Sequence, residues 1–169
     1  MARELDLSGL LGVLDRHGVA YVLIGGIAAV THGSPFPTED LDITPAVAPD
    51  NLTRLSAALT DLDAKVRVEG VPDGLPFAHD AQSLEVVQAW NLTTAHGDLD
   101  ISFVPSGTSG YSDLSQDAEP MDLVGVLVQV ASLADVIRSK QAANRPKDQR
   151  VLPTLRDILA RKPEGGPTS

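Results

Sequence analysis

Two aspartates separated by one residue, in Thr38-Glu39-Asp40-Leu41-Asp42-Ile43, form the densest patch of potential chemistry in the chain. On a strand, residues two apart point to one face, so Asp40 and Asp42 project together while Leu41 and Ile43 enter a core. Adjacent carboxylates repel unless something neutralises them, and Mg²⁺ is commonly held by one or two carboxylates together with waters and substrate phosphates. Two solvated aspartates at a strand end are the plainer alternative. About fifteen residues upstream, Gly25-Gly26 separates the apolar run Tyr21-Val22-Leu23-Ile24 from Ile27-Ala28-Ala29-Val30. A glycine turn between strand and helix exposes backbone N–H groups that can receive phosphate, although a tight turn needing φ > 0 is reason enough for two glycines. Downstream, Asp98, Asp100 and Ser102 share one strand face, opposite Leu99, Ile101 and Phe103.

Helical spacing of Leu7, Leu10, Leu11 and Leu14 predicts a first helix over 5–17, stopped by Gly18. Residues 21–24 read as a strand running into the glycine turn, with a short helix from Ile27. A second strand covers 41–44 and stops at Pro45; Asp50 is expected to cap a helix with Leu52, Leu55 and Leu59 on one face. Residues 65–68 alternate as a short strand. The Pro-, Gly- and Asp-rich stretch 71–82 receives no structure. Segments 86–94 and 99–104 form a hairpin around His96-Gly97, 106–110 is loop, and a strand pair at 121–123 and 126–130 turns at Gly125. Ser132 with Asp135 resembles a helix start, that helix running to about Asn144. A last helix covers about 147–161, where Pro153 should kink it or mark a restart. One domain over 1–162 and a disordered tail over 163–169 complete the expectation.

Of the 169 residues, 43% are hydrophobic and 21% charged, an ordinary globular balance. No apolar run approaches the roughly 20 residues that span a bilayer, and the N-terminus lacks a signal peptide's pattern, so a cytoplasmic location is expected. The absence of cysteine removes thiolate metal sites and cysteine nucleophiles, which leaves oxygen and imidazole ligands and favours a hard ion. A net charge of −10 argues against a protein that coats nucleic acid with its whole surface. Charge is unevenly spread: residues 138–162 hold eight of the thirteen Lys and Arg but only two acids, Asp148 and Asp157. His17, His32, His79 and His96 show no metal-site spacing, and packing or a turn is the main expectation for His32. Ser102, Ser106 and Ser109 make no convincing triad, and Trp90 reads as core.

Taken together, the strand, Gly25-Gly26 turn and short helix, Thr38 before Asp40-x-Asp42, and Gly97-Asp98-Leu99-Asp100-Ile101 resemble the nucleotidyltransferase superfamily of the DNA polymerase β type. The likeness is to its minimal bacterial members related to AbiEii and MenT toxins. It implies an α/β (α+β) nucleotidyltransferase fold: a mixed sheet flanked by helices, with a C-terminal helical element. It also implies Mg²⁺, or Mn²⁺ in its place, on Asp40, Asp42 and Asp100, with Asp98 the alternative third carboxylate. The segment Ser139-Lys140 to Lys147-Asp148 looks like the late-helix element of these relatives, in which Lys140 would neutralise triphosphate charge and Asp148 would support the site. Gly25, Gly26, Thr38, Lys140 and Asp148 would thus bind the NTP.

Two positions depart from the pattern. Phe36 stands where relatives often carry Arg, and Gly26 where many carry Ser; both bear on nucleotide affinity. The implied activity is transfer of a nucleoside monophosphate from an NTP to an acceptor hydroxyl, by a toxin that modifies tRNA and is restrained by an antitoxin. An aminoglycoside-type small-molecule nucleotidyltransferase and a degenerate nucleotide-binding module without catalysis are the alternatives.

Overall fold

The computed structural model describes residues 4–162, so the expected tail at 163–169 lies outside the described residues. Its frame is one mixed eight-stranded sheet in the order β4-β3-β5-β6-β2-β1-β8-β7. The strands are β1 (Tyr21–Ile24), β2 (Asp40–Pro45), β3 (Lys65–Val68), β4 (Val71–Leu75), β5 (Ala89–Thr94), β6 (Gly97–Ser102), β7 (Glu119–Leu123) and β8 (Val126–Val130). The helices are α1 (Leu7–Arg16), α2 (Gly25–Thr31), α3 (Pro49–Asp61), α4 (Ala81–Glu85), α5 (Tyr111–Leu114), α6 (Leu133–Ala143) and α7 (Pro146–Arg161). Pairings β2–β6 and β1–β8 are parallel; the others are antiparallel. No helix among the described residues is long and apolar enough to cross a membrane.

Period-two burial holds the centre of the sheet. Leu41 and Ile43 on β2, and Leu99 and Ile101 on β6, are fully or almost fully buried, each contributing on the order of 1.5–3 kcal/mol. A one-residue slip would exchange these side chains for aspartates, so register is tightly specified. Helix α1 packs against α3 and β8 through Leu10, Leu11 and Leu14, while α2 packs against β1, β2 and α6.

Several elements depart from the sequence reading. Helix α2 begins at Gly25 itself, so the strand passes into the helix without a separate turn. Ala48 rather than Asp50 is the N-cap of α3; Pro49 takes the first helical position and Asp50 lies in the first turn. The unassigned stretch 71–82 contains β4 and the start of α4. Pro72 is tolerated because β4 is an edge strand, and Asp80 with Ser83 forms a reciprocal cap on α4. Helix α5 follows the loop that was expected at 106–110. Helix α7 continues through Pro153 without a restart.

Candidate active site

The parallel register of β2 and β6 sets Asp40 beside Asp98 and Asp42 beside Asp100. Because the alternate residues on both strands are committed to the core, four carboxylates emerge on one face of adjacent strands. Oxygens of Asp40, Asp42 and Asp100 lie within 4.8 Å of one another, and among the described residues no other group of His, Asp or Glu is arranged to hold a metal. Asp98 is turned instead toward Arg67, at 3.3 Å.

Crowding perturbs these acids. Burial and the charge of Asp40 push Asp42 up to about 6, although Lys147, Lys140 and Arg145 pull it back. Asp100 is pushed up to about 8 by burial, by a hydrogen bond with Asp40 and by the Asp42 charge, against the opposing charge of Arg67. Three half-buried carboxylates that repel one another this strongly suit a hard divalent cation, whose charge would relieve the repulsion.

Strand β1 pairs antiparallel with β2, placing Ile24 opposite Asp42 and delivering Gly25 beside that carboxylate. Gly25 has φ +69°, and a Cβ there would collide with the Asp42 side chain. Glycine is required twice over, by conformation and by close approach. At Gly26, a Cβ would come within 2.7 Å of Thr38 Oγ1. Thr38 therefore fills the space that a serine at 26 would need and supplies a hydroxyl beside it, which gives the departure at Gly26 a physical basis. No side chain caps α2, and the first N–H groups of a helix lack intrahelical partners.

These residues line a cleft of about 920 Å³ whose opposite wall is basic, with Lys140 from α6 and Arg145, Lys147 and Arg150 from the start of α7. Asp148 lies behind that wall, its side chain fully buried. It accepts hydrogen bonds from Arg145 Nε at 2.7 Å, Nη2 at 3.2 Å and the backbone N–H at 3.1 Å, and pairs with Lys140 Nζ at 3.7 Å. Burial alone would raise its pKa, but the Arg145 hydrogen bonds and the two cations outweigh that and hold it below the usual carboxylate range. Asn144, left-handed at φ 51°, makes the sharp corner between α6 and α7 that turns both helix ends toward one point.

Lys140, Gly25, Gly26, Thr38, Asp40, Asp42, Asp98 and Asp100 are all brought to the cleft, and Asp148 supports it from beneath. Phe36 lines it as well. The histidines stay out. His32 is buried, contacting the Ala131 carbonyl at 2.8 Å and Lys162 Nζ at 2.9 Å, a packing role. Ser102 and Ser106 line the cleft without any histidine beside them, and Trp90 is partly buried, donating to the Leu84 carbonyl at 2.9 Å. Sequence reasoning missed Arg67. Alternation on β3 sets Lys65 and Arg67 on one face, but nothing local says that this face looks across β5 to the acids.

No family model matches the chain, and no curated protein matches it in sequence. Solved structures do. The lincomycin-bound lincosamide antibiotic adenylyltransferase LnuA superposes with TM-score 0.60 at 15% identity, over 92% of this chain and 99% of that one. The antibiotic-resistance factor ANT(2'')-Ia in solution gives 0.54 at 15% identity, over 91% and 87%. An antigenic nucleotidyltransferase-like protein from Paracoccidioides brasiliensis gives 0.51 at 18%, over 91% and 73%. At such identities the likeness defines the architecture: the chain has the nucleotidyltransferase fold.

Proposed function

We propose that the protein is a Mg²⁺-dependent nucleotidyltransferase that moves a nucleoside monophosphate from an NTP to an acceptor hydroxyl and releases pyrophosphate. The observation that carries this reading is the convergence of Asp40, Asp42 and Asp100 within 4.8 Å, across the cleft from Lys140, Arg145 and Lys147. A divalent ion held by these three carboxylates would supply neutralising charge to the attacking and leaving oxygens. The α2 N–H groups at Gly25 and Gly26, with the Thr38 hydroxyl, bind phosphate oxygens. Lys140, Arg145 and Lys147 balance the triphosphate and then the departing pyrophosphate. The acceptor oxygen bonds to the α-phosphorus as the bond to the β-phosphate bridge breaks. Its proton passes to the carboxylate of Asp100, which stands among the three acids and can serve as general base.

For the acceptor, we favour tRNA, modified by a toxin that an antitoxin protein restrains, in a cytoplasmic setting. Support comes from the basic α6–α7 corner, where Lys140, Arg145, Lys147 and Arg150 line the cleft; such a cluster suits RNA phosphates. A second reading, a cationic aminoglycoside-type acceptor, is favoured by exposed Glu39 and by Asp98 on the acidic side of the cleft. Incubating purified protein with labelled NTPs, Mg²⁺ and total RNA, and in parallel with an aminoglycoside panel, separates the two. Label should enter tRNA and be lost in Asp42→Ala; undiminished transfer by that variant would contradict the assignment.

A further inference from the structure

Arg67 stands on β3, two strands away from the nearest of the four aspartates, and reaches across β5 to meet them. Its Nη2 donates to Asp100 Oδ1 at 2.7 Å and its Nη1 lies 3.3 Å from Asp98 Oδ2, while Nη1 also donates to the Leu92 carbonyl at 3.1 Å. Three partners on two strands hold the planar guanidinium in one orientation, and the side chain is only 35% exposed. It approaches from the β3 side of the sheet, whereas the α6–α7 cations approach from the side on which α2 packs. The two basic groups therefore do different things. One faces the cleft; the other grips the carboxylates from outside it.

We propose that Arg67 is a positioning residue: it fixes the orientation of Asp100 so that this carboxylate joins Asp40 and Asp42 around one divalent cation, and it draws Asp98 out of that set. The inference rests on the reading of the three aspartates as a metal site. It yields a result opposite in sign to electrostatics alone. A positive charge beside a cation site repels the cation, so removing it should tighten binding if Arg67 acts only through its charge. If it acts by orientation, removal should loosen binding, because groups that orient metal ligands typically contribute about 10–100-fold in metal affinity. The same logic makes lysine a poor replacement, since an ammonium keeps the charge but not the fork that spans Asp98, Asp100 and the Leu92 carbonyl.

The test is titration of nucleotide-free, full-length protein with Mn²⁺, reading free ion by electron paramagnetic resonance, for wild type, Arg67→Ala and Arg67→Lys. Thermal melts run alongside to establish that each variant is folded. The expected result is at least about tenfold weaker Mn²⁺ binding in both folded variants. Tighter binding in Arg67→Ala, or wild-type affinity in Arg67→Lys, would overturn the positioning role while leaving the metal site intact. Failure of the wild type to bind Mn²⁺ would remove the metal reading itself, and this inference with it. Should Arg67→Ala not fold, Arg67→Lys decides by the same criterion.

Discussion

On one side of the cleft, Asp40, Asp42, Asp98 and Asp100 ride on two parallel strands whose register is held by Leu41, Ile43, Leu99 and Ile101 in the core. On the other, Lys140, Arg145 and Lys147 hang from the end of one helix and the start of the next, the first two tied together by a single buried carboxylate, Asp148. The acids are placed by backbone pairing shared over many residues; the bases are placed by side-chain contacts around one corner. Strand-borne groups should thus tolerate almost no displacement, whereas helix-end groups should weaken gradually as their tether is cut.

Gly25→Ala should produce the largest loss. It forces a Cβ into the Asp42 carboxylate and an alanine into a left-handed backbone, at a cost of at least about 2 kcal/mol. Urea unfolding should show that cost, and transfer activity should fall on the order of 100-fold. Asp148→Asn tests the tether. Loss of the buried anion leaves Arg145 and Lys140 without their shared partner, destabilising by about 1–3 kcal/mol and raising the KM for NTP roughly tenfold. A larger effect on kcat than on KM would mean that the tether also orders the acidic side.

A pH series sharpens the comparison, because two carboxylates of the acidic wall titrate near neutrality. Asp42 at about 6 and Asp100 at about 8 must lose protons to bind a cation, so Mn²⁺ affinity should rise with pH from 5 to 9, by up to about 100-fold per unit below about 6 and about tenfold per unit between about 6 and about 8. Stability runs the other way in metal-free protein. Both folded pKa values exceed the ordinary 3.8, so the folded state binds more protons than the unfolded state above that value. Their stabilising contribution is present at low pH and is lost as pH rises through about 6 and then about 8. Saturating Mn²⁺ should flatten that decline in a thermal melt. The smallest effect is expected from Phe36→Arg, which adds the cation missing from a partly exposed cleft position; KM for NTP should fall by a factor of about three.

The contrast between the walls also explains what could be read in the chain beforehand. Asp40-Leu41-Asp42 and Asp98-Leu99-Asp100 declare their faces through alternation, and Gly25-Gly26 marks where the strand must end, so the acidic wall was largely legible. Its assembly was not: that β2 lies next to β6 depends on strand order, a non-local property. Arg67 illustrates the cost, since its role appears only once β3, β5 and β6 are known to be neighbours. Strand β4 escaped because proline, aspartate and glycine fill its centre and only its edge placement decides it, while α4 and α5 are too short to show a helical period, α4 being set by the Asp80–Ser83 cap. The resemblance placed Lys140 and Asp148 near the site, but the burial of Asp148 beneath the wall needed coordinates.

Calorimetric titration of the wild type and Asp42→Ala with non-hydrolysable analogues of all four NTPs, each with Mg²⁺ and again with EDTA, probes the shared cradle most directly. At least one analogue should bind the wild type only when Mg²⁺ is present, with affinity at least about tenfold weaker in Asp42→Ala. Binding that is indifferent both to EDTA and to the loss of the Asp42 carboxylate would contradict the account.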